Sequence, residues 1–247
     1  MSGSKETFTI TFCDRAENHV GMQQIGELAE SGYDRTDLEK IKRRAERDSK
    51  VSTDLYTLDW PLDDLDVETG DPLILVIRGA LRTGKLRREL ESLDWDKKAF
   101  IYGRVVNKKA RHNLCFGDFD QEPDYAQKMG RVISFERLPR LSAVREYLRS
   151  LTGEELVAEG NHYYDTTCGI GYHGDTERRK VIGVRIGGTI PLIYQWYHQG
   201  EPIGEKLEIT LNDGDIYFMS EKATGFDWKR RTIHTLRHAA GASKYVD

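Results

Sequence analysis

The spacing of apolar residues divides the chain into two regions with different predicted elements. Before residue 97, apolar and polar residues alternate over residues 7–12, which predicts a strand, and apolar residues recur at helical spacing over residues 18–30. A second helix is predicted to begin at Thr36, with Thr36 as its N-cap and Glu39 completing a capping box. Further apolar segments predict strands at residues 55–59 and 73–78 and a helix at residues 86–93.

After residue 97, short apolar segments and turn sequences follow one another at regular intervals, interrupted by one helix predicted at residues 141–151. This pattern predicts a β-sandwich or barrel. The fold class is therefore predicted as α+β, with an N-terminal α/β region at residues 1–96 packed on a core at residues 97–247. The strands of the core are predicted at residues 100–106, 132–135, 156–164, 181–186, 190–198, 206–211 and 216–219.

Composition restricts the class of protein. Of the 247 residues, 38% are hydrophobic and 32% are charged, which is typical of a soluble globular protein. The three cysteines are odd in number and widely spaced, so no disulfide framework is indicated and an intracellular location is expected. No apolar segment approaches the roughly 20 residues that a membrane-spanning helix needs, so no membrane partner is expected. The formal net charge of −4 argues against non-specific coating of nucleic acid. Basic residues nevertheless cluster at residues 40–44, 82–88, 108–111, 178–180 and 229–231.

The segment IGYHGDTERRK, at residues 170–180, carries the strongest chemical signal. Side chains at positions i and i+2 of a strand point to the same side, so His173 and Asp175 can present an imidazole and a carboxylate to one point. Two surface polar residues at a strand end would give the same pattern. Two further histidines, His234 and His238, lie in the downstream segment TIHTLRHAAG. Two histidines and one carboxylate form the facial triad of non-haem Fe(II) oxygenases.

Together these segments resemble the AlkB family of Fe(II)/2-oxoglutarate-dependent dioxygenases, over about residues 97–241. The resemblance implies a double-stranded β-helix (jelly-roll) core with flanking helices, Fe(II) as the metal, 2-oxoglutarate as the cosubstrate and O2 as the oxidant. An earlier segment, ARHNLCFGD at residues 110–118, is similar to the segment that covers the substrate in this family. The matching motifs are NHY at 161–163, IGYHGDTE at 170–177, GDIYFM at 214–219 and RHAA at 237–240.

The resemblance also implies roles for individual residues. His173 and Asp175 are expected to be the first two iron ligands. His238 is preferred over His234 as the third, because Arg-His followed by small residues resembles the ligand context of the family. The resemblance assigns contacts with 2-oxoglutarate to Asn161 and Tyr163. Substrate contacts are expected from the covering segment and from neighbours of the metal motif, namely Arg111, Phe116, Asp118, Tyr172 and Glu177.

One feature departs from the family pattern, in which arginines after the last histidine bind the cosubstrate carboxylates. No arginine follows His238. Arg185 is the predicted replacement, because Gly183 and Gly187 on the same strand face leave space for a small dianion. A guanidinium can bind the carboxylate of such a dianion through two parallel hydrogen bonds. Alternatively, Arg185 is a strand-edge residue that faces solvent, and the cation is one of Arg237, Arg231 and Arg178.

The resemblance implies oxidation of a substrate C–H bond, by hydroxylation or oxidative demethylation, and a nucleobase or nucleic acid as the substrate. Basic residues at 108–111 and 178–180, with aromatic residues near in sequence, suit such a substrate. Of these aromatic residues, Tyr172 and Phe116 can equally be wall residues. The other hypotheses are an oxygenase that acts on a protein or small molecule, a non-redox jelly-roll zinc hydrolase, and a binding module with structural histidines. The oligomeric state and the role of residues 1–96 stay open.

Overall fold

The computed structural model describes residues 6–49, 51–63 and 67–247, and within these ranges the chain has a mixed α+β architecture. No helix in these ranges is both long enough and apolar enough to cross a membrane. The helices are α1 (Arg35–Ser49), α2 (Gly84–Glu91), α3 (Pro139–Thr152), α4 (Glu221–Thr224) and α5 (Ser243–Val246). The strands are β1 (Thr7–Cys13), β2 (Arg15–Glu17), β3 (Gln24–Gly26), β4 (Ser52–Thr57), β5 (Leu73–Arg78), β6 (Lys98–Ile101), β7 (Arg104–Asn107), β8 (His112–Gly117), β9 (Val132–Ser134), β10 (Val157–Tyr163), β11 (Gly169–His173), β12 (Val181–Gly187), β13 (Leu192–His198), β14 (Glu201–Ile209), β15 (Ile216–Met219) and β16 (Thr235–Gly241).

Eight strands form one large sheet in the order β4-β5-β15-β12-β1-β10-β8-β9. Neighbouring strands are antiparallel except for β8 and β9, which are parallel. The first strand of the chain, β1, lies in the middle of this sheet between β10 and β12, and all of its residues are buried.

The alternating sequence of β1, TFTITFC, explains why the two faces of the large sheet differ. Phe8, Ile10 and Phe12 point to one face, where they join a core cluster that includes the apolar sides of α1, α2 and α3. Thr9 and Thr11 point to the opposite face and line a cavity. The sheet therefore has an apolar face covered by helices and a more polar face directed away from them.

A second sheet, in the order β11-β16-β13-β14, packs against the polar face of the large sheet. One cluster of buried apolar residues contains side chains from both sheets, including Tyr194 and Trp196 of β13 and Val76 of β5. The indole Nε1 of Trp196 donates a hydrogen bond to the carbonyl of Leu58, 2.6 Å away, so the buried polar atom of this large side chain is satisfied. The cavity lined by Thr9 and Thr11 lies beside this cluster, between the two sheets.

The helix predicted over residues 18–30 is wrong, since β2 and β3 form an antiparallel hairpin there, with Arg15 opposite Gly26. Gly21 and Gly26 have φ values of +81° and +82°, in the left-handed region that a helix interior does not use. A Cβ at Gly26 would lie 2.4 Å from the carbonyl oxygen of Asp14, so this position requires glycine. The helical spacing of the apolar residues was therefore overridden by turn geometry.

The strand predicted over residues 100–106 is a second hairpin, made of β6 and β7. Its turn residues, Tyr102 and Gly103, have φ values of +51° and +78°. Two successive positive φ values are the signature of the tight turns that match the twist of a two-stranded hairpin. This β6–β7 hairpin pairs with no other strand in the described part of the chain.

The predicted boundary near residue 96 is not a boundary between sheets. Strands β1, β4 and β5 come from the N-terminal region, and they share the large sheet with β8, β10, β12 and β15 from the rest of the chain. The first region has a mixed α/β sequence pattern because β4 and β5 lie between the helices α1 and α2.

Candidate metal centre and its cavity

Three side chains at one end of the small sheet form the cluster that the sequence predicted, His173, Asp175 and His238, and one ligand atom of each lies within 4.8 Å of the others. His173 ends β11 and is the register partner of His238 on β16. The Nε2 atoms of His173 and His238 lie 3.5 Å and 4.0 Å from Oδ1 of Asp175. The His-x-Asp motif is therefore not an isolated surface pair, because a third ligand-type side chain lies beside it.

Local backbone contacts fix the orientation of the cluster. The Nδ1 atom of His173 lies 2.8 Å from the carbonyl oxygen of Gly171, which selects the tautomer that leaves Nε2 with a free lone pair for a metal. The backbone N–H of Asp175 donates to the carbonyl of Thr224 at 2.9 Å. Gly174, between the two ligands, packs so closely that a Cβ there would lie 2.2 Å from the carbonyl oxygen of Gly225.

Of the two downstream histidines, His238 belongs to the cluster and His234 does not. The ring of His234 stacks on His198, with centroids 4.4 Å apart, outside the cluster. Burial lowers the pKa of His238 well below its usual value, and the neighbouring His173 and Arg178 lower it further. His238 is therefore a neutral imidazole near pH 7, the form that ligates metals.

Arg178 neutralises the carboxylates behind the cluster. It is 4% exposed, and its Nη2 donates to Glu159 Oε2 at 2.6 Å and to Glu177 Oε1 at 2.7 Å. Its Nε also lies 3.9 Å from Oδ2 of Asp175. Because these acids already engage its guanidinium, Arg178 is a poor candidate for binding a further carboxylate.

Polar side chains run in a row across four neighbouring strands on the cavity face of the large sheet. The register aligns Asn113 of β8 with Asn161 of β10, Asn161 with Thr9 of β1, and Thr9 with Arg185 of β12. Asn113 donates to the side-chain oxygen of Asn161 at 2.7 Å. Thr9 Oγ1, in contrast, is buried and has no hydrogen-bond partner among the described residues.

Arg185 is the most unusual member of this row. It is 1% exposed, in the interior of the sheet, so the interpretation as a strand-edge residue facing solvent is wrong. Its Nε and Nη1 have no hydrogen-bond partner in the part of the chain that the structure describes, and burial lowers its pKa. A buried guanidinium without an acceptor is energetically costly. Arg185 is therefore a strong candidate for a residue that binds an anion.

The space that the sequence assigned to a ligand beside Gly183 is filled by Tyr217. A Cβ at Gly183 would lie 1.9 Å from the ring of Tyr217, which packs flat over this glycine. Burial raises the pKa of Tyr217 to about 12, and the nearby charges of Arg185 and Asp175 act on it in opposite directions. Tyr217 therefore packs against the strand that carries the arginine and lines the same cavity as the metal cluster. The hydroxyl of Tyr194, packed against the ring of His238, is also buried without a described partner.

The cluster opens into a cavity of about 420 Å³ between the two sheets. Asn161, Tyr163, Arg111 and Glu177 line this cavity, as expected from their predicted roles in cosubstrate or substrate binding. Arg111 Nε donates to the side-chain oxygen of Asn161. The tip of the β2–β3 hairpin, including Asn18 and the exposed Val20, forms part of the rim, and Lys229 forms another part.

Three residues expected to contact the substrate lie elsewhere. Phe116 is 0% exposed in the core under the helices, on the apolar face of the large sheet. Asp118 is exposed and forms an ion pair with Arg145 of α3. Tyr172 precedes His173 on β11, so it points to the outer face of the small sheet, where its hydroxyl donates to the carbonyl of Val246.

The alternative cations after β12 also have other contacts. Arg237 stacks over the ring of Tyr197, 3.8 Å from its centroid, and Arg231 donates to the carbonyl of Gln199. Several cavity residues come from distant segments and carry no local sequence signal of their role. They are Thr9, Thr11, Arg15, Glu17, Glu159, Tyr217 and Trp228. Alternation in TFTITFC places Thr9 and Thr11 on one face, but nothing local indicates what they face.

Comparison with known proteins gives a relative but no activity. No family model matches the chain. The chain is 53% identical over 253 residues to the uncharacterized protein R156 of Acanthamoeba polyphaga mimivirus, and the alignment covers all of both proteins. The function therefore has to be inferred from the chemistry of the cavity.

Proposed function

The chain belongs to the same family as the mimivirus protein R156, and we propose that it is an AlkB-like Fe(II)/2-oxoglutarate-dependent dioxygenase that oxidises a C–H bond of a nucleobase or nucleic acid. One observation carries the proposal. A His-Asp-His cluster and Tyr217 line one cavity, and the ring of Tyr217 packs against Gly183, two residues before Arg185, a buried arginine that forms no ion pair among the described residues. A metal ligand set beside a site for a small carboxylate anion is what a 2-oxoglutarate oxygenase requires.

The order of the strands supports a double-stranded β-helix. Four adjacent strands of the large sheet, β15-β12-β1-β10, oppose the four strands β11-β16-β13-β14. Seven of these eight strands follow one another in the chain from β10 to β16, and β1 supplies the eighth. Two four-stranded sheets with this crossing connectivity correspond to a jelly roll.

The same topology accounts for the missing arginine. In a jelly roll whose seventh strand carries the last metal ligand, the eighth strand is the one after that histidine. Here the position between β10 and β12 is occupied by β1, which offers Thr9 and Thr11 to the cavity and contains no arginine. Arg185, on the neighbouring strand β12 and directly opposite Thr9, supplies the cation instead.

The donor set of the cluster fits iron. Two imidazoles and one carboxylate leave coordination positions open, whereas the thiolates that favour zinc or iron–sulfur clusters do not occur in the cluster. When bound, Fe(II) supplies the activation of O2, which is coupled to the decarboxylation of 2-oxoglutarate to succinate and CO2. His173, Asp175 and His238 would hold the metal.

The residues beyond the cluster fit a bound dicarboxylate. Arg185 Nε and Nη1 are two donors without described acceptors, and each can donate a hydrogen bond to an oxygen of a bound anion. The hydroxyls of Thr9 and Tyr194 are further donors of the same kind. Binding of the dicarboxylate would satisfy several buried polar atoms at once.

The remaining residues of the cavity bind substrate and exclude water. Tyr217 and Trp228 present aromatic surface next to the cluster, and they limit access of bulk water to the oxidant. Arg15, Arg111 and Lys229 are cations of the cavity lining that can contact phosphate groups of a substrate. These features favour an unstacked nucleobase of a nucleic acid as the substrate over a neutral small molecule.

The decisive experiment adds Fe(II) and then 2-oxoglutarate to the protein without oxygen and records the visible spectrum. We expect a weak charge-transfer band and, after O2 is admitted, release of succinate. His173→Ala and Asp175→Ala should abolish both signals. His234→Ala is the matched control and should retain both, because His234 stacks on His198 outside the cluster.

The outcomes separate the competing functions. Stoichiometric zinc binding with no band and no succinate would favour a metal hydrolase, and absence of any metal binding would favour a binding module. Either result overturns the proposal. If succinate forms but no methylated oligonucleotide increases its rate, the oxygenase stands and the substrate is a protein or a small molecule.

A further inference from the structure

The β6–β7 hairpin and its flanking residues form a segment in which every charged residue is basic. Between residues 97 and 117 the sequence contains no aspartate or glutamate, although the whole protein has a formal net charge of −4. The cations of this segment are Lys97, Lys98, Arg104, Lys108, Lys109 and Arg111. Four of them, Lys97, Lys98, Arg104 and Lys109, are exposed.

These cations form no ion pair among the described residues. Several cations elsewhere do, as in Arg35 with Asp71, Arg145 with Asp118, Arg179 with Glu221 and Lys222 with Asp227. Charge that the fold does not use internally is available to a partner.

Carboxylates on both sides of the segment in sequence are already engaged. Asp94 and Glu122 both pair with Arg131, at 3.0 Å and 2.6 Å. Asp96 is buried, and it accepts hydrogen bonds from Asn18 and Tyr125. They therefore leave the positive potential of the hairpin largely uncompensated.

The tip of the hairpin adds an aromatic surface. Tyr102 is 98% exposed, and Val105, on the following strand, is 42% exposed. An exposed tyrosine at the turn, surrounded by lysine and arginine, has the composition of a surface on which bases stack while cations contact phosphates.

The basic segment is continuous with the cavity. Lys108 donates its Nζ hydrogen to the side-chain oxygen of Asn18 on the cavity rim, at 2.9 Å. Arg111, at the end of the segment, lines the cavity, and Lys229 lines it as well. The basic segment and the metal cluster therefore border the same cavity.

We propose that residues 97–111 bind the phosphate backbone of single-stranded nucleic acid, with Tyr102 stacking on one of its bases. Phosphate neutralisation by lysine and arginine is the main source of such affinity, and aromatic stacking adds to it without sequence preference. This surface deepens the proposed function by specifying where the substrate strand is held, and it rests on that function only for the link to the cavity.

The test measures fluorescence anisotropy of a short labelled single-stranded DNA of mixed sequence, with full-length protein free of iron and 2-oxoglutarate. In the variant Lys98→Gln/Arg104→Gln/Lys109→Gln we expect affinity to fall at least about tenfold. The slope of log K against log salt concentration should become less steep by roughly 2, because each of the three lost phosphate contacts contributes about 0.7 to the slope. Tyr102→Ala should weaken binding about tenfold with the slope unchanged.

The matched control, Lys40→Gln/Lys85→Gln/Arg140→Gln, removes the same charge from exposed positions outside the segment and should retain binding. An equal loss of affinity in this control would overturn the proposal. So would equal competition by polyglutamate, or tighter binding of a duplex than of the single strand. Because the assay contains no iron, a negative result here is distinct from failure of the oxygenase proposal.

Discussion

At the scale of single residues, two buried arginines of the same cavity region have opposite environments. Arg178 donates to Glu159 and Glu177, whereas Arg185 has two nitrogen atoms without described partners. Removing one partner of a buried ion pair leaves the other charge unpaired, which is strongly destabilising. Removing a charge that has no partner relieves a desolvation penalty.

We therefore predict that Arg185→Met increases the free energy of unfolding of the ligand-free protein, by about 1–4 kcal/mol. The same variant should lose the thermal stabilisation that Mn(II) with 2-oxoglutarate gives the wild type, because the anion has lost its cation. Urea unfolding measures the first effect, and thermal unfolding with and without the ligands measures the second.

Arg178→Met is the control of equal size and should lower the free energy of unfolding by about 3–5 kcal/mol, since Glu159 and Glu177 lose their partner. If both methionine variants are destabilised equally, Arg185 has an acceptor in solution and the anion-site argument fails.

The metal cluster could be predicted from sequence because its signal is local. His173 and Asp175 are two residues apart, and strand geometry alone puts them on one side. The same rule places Tyr172 on the opposite side, so strand geometry argues against a substrate contact for this residue. Thr9 and Tyr217 were not predictable in this way, because only the pairing of β1 and β15 with β12 brings them to the site.

At the scale of elements, strands were predicted better than turns and helix ends. The predicted strands at residues 73–78 and 216–219 agree with β5 and β15 at both ends, because each is an apolar segment too short for a typical helix and bounded by turn residues such as Gly79 and Gly214. The start of α1 was misplaced. Asp37 N–H donates to the Asp34 side chain at 2.8 Å, and Asp34 N–H donates to the Asp37 side chain, so this pair forms the capping box.

We predict that Asp34→Ala lowers the free energy of unfolding by about 1 kcal/mol, because the first turn of α1 loses its side-chain acceptor. Thr36→Ala, at the residue that the sequence favoured as the cap, should change it by less than about 0.5 kcal/mol, as is usual for an exposed position. Urea midpoints of the two variants measured side by side provide the comparison, and the reverse order would restore Thr36 as the cap.

At the scale of the whole molecule, the N-terminal strand β1 joins the two regions of the sequence into one structure. It forms a complete antiparallel ladder with β10 on one side and with β12 on the other. Sequence pattern could not predict this, because a strand of alternating residues carries no information about which distant strands it pairs with. Without β1, both neighbours would expose unpaired backbone N–H and C=O groups in the middle of the sheet.

We therefore predict that a fragment of residues 97–247 does not fold alone, although it contains all three residues of the metal cluster. It lacks β1 and leaves two long interior strand edges open, which favours aggregation. Co-expression with residues 1–96 should restore a soluble complex that unfolds cooperatively and binds Fe(II), whereas the same N-terminal fragment with Ile10→Asp should not, because Ile10 is fully buried. Cooperative unfolding of the 97–247 fragment by itself would show that the C-terminal region is an independent domain and that β1 only covers it.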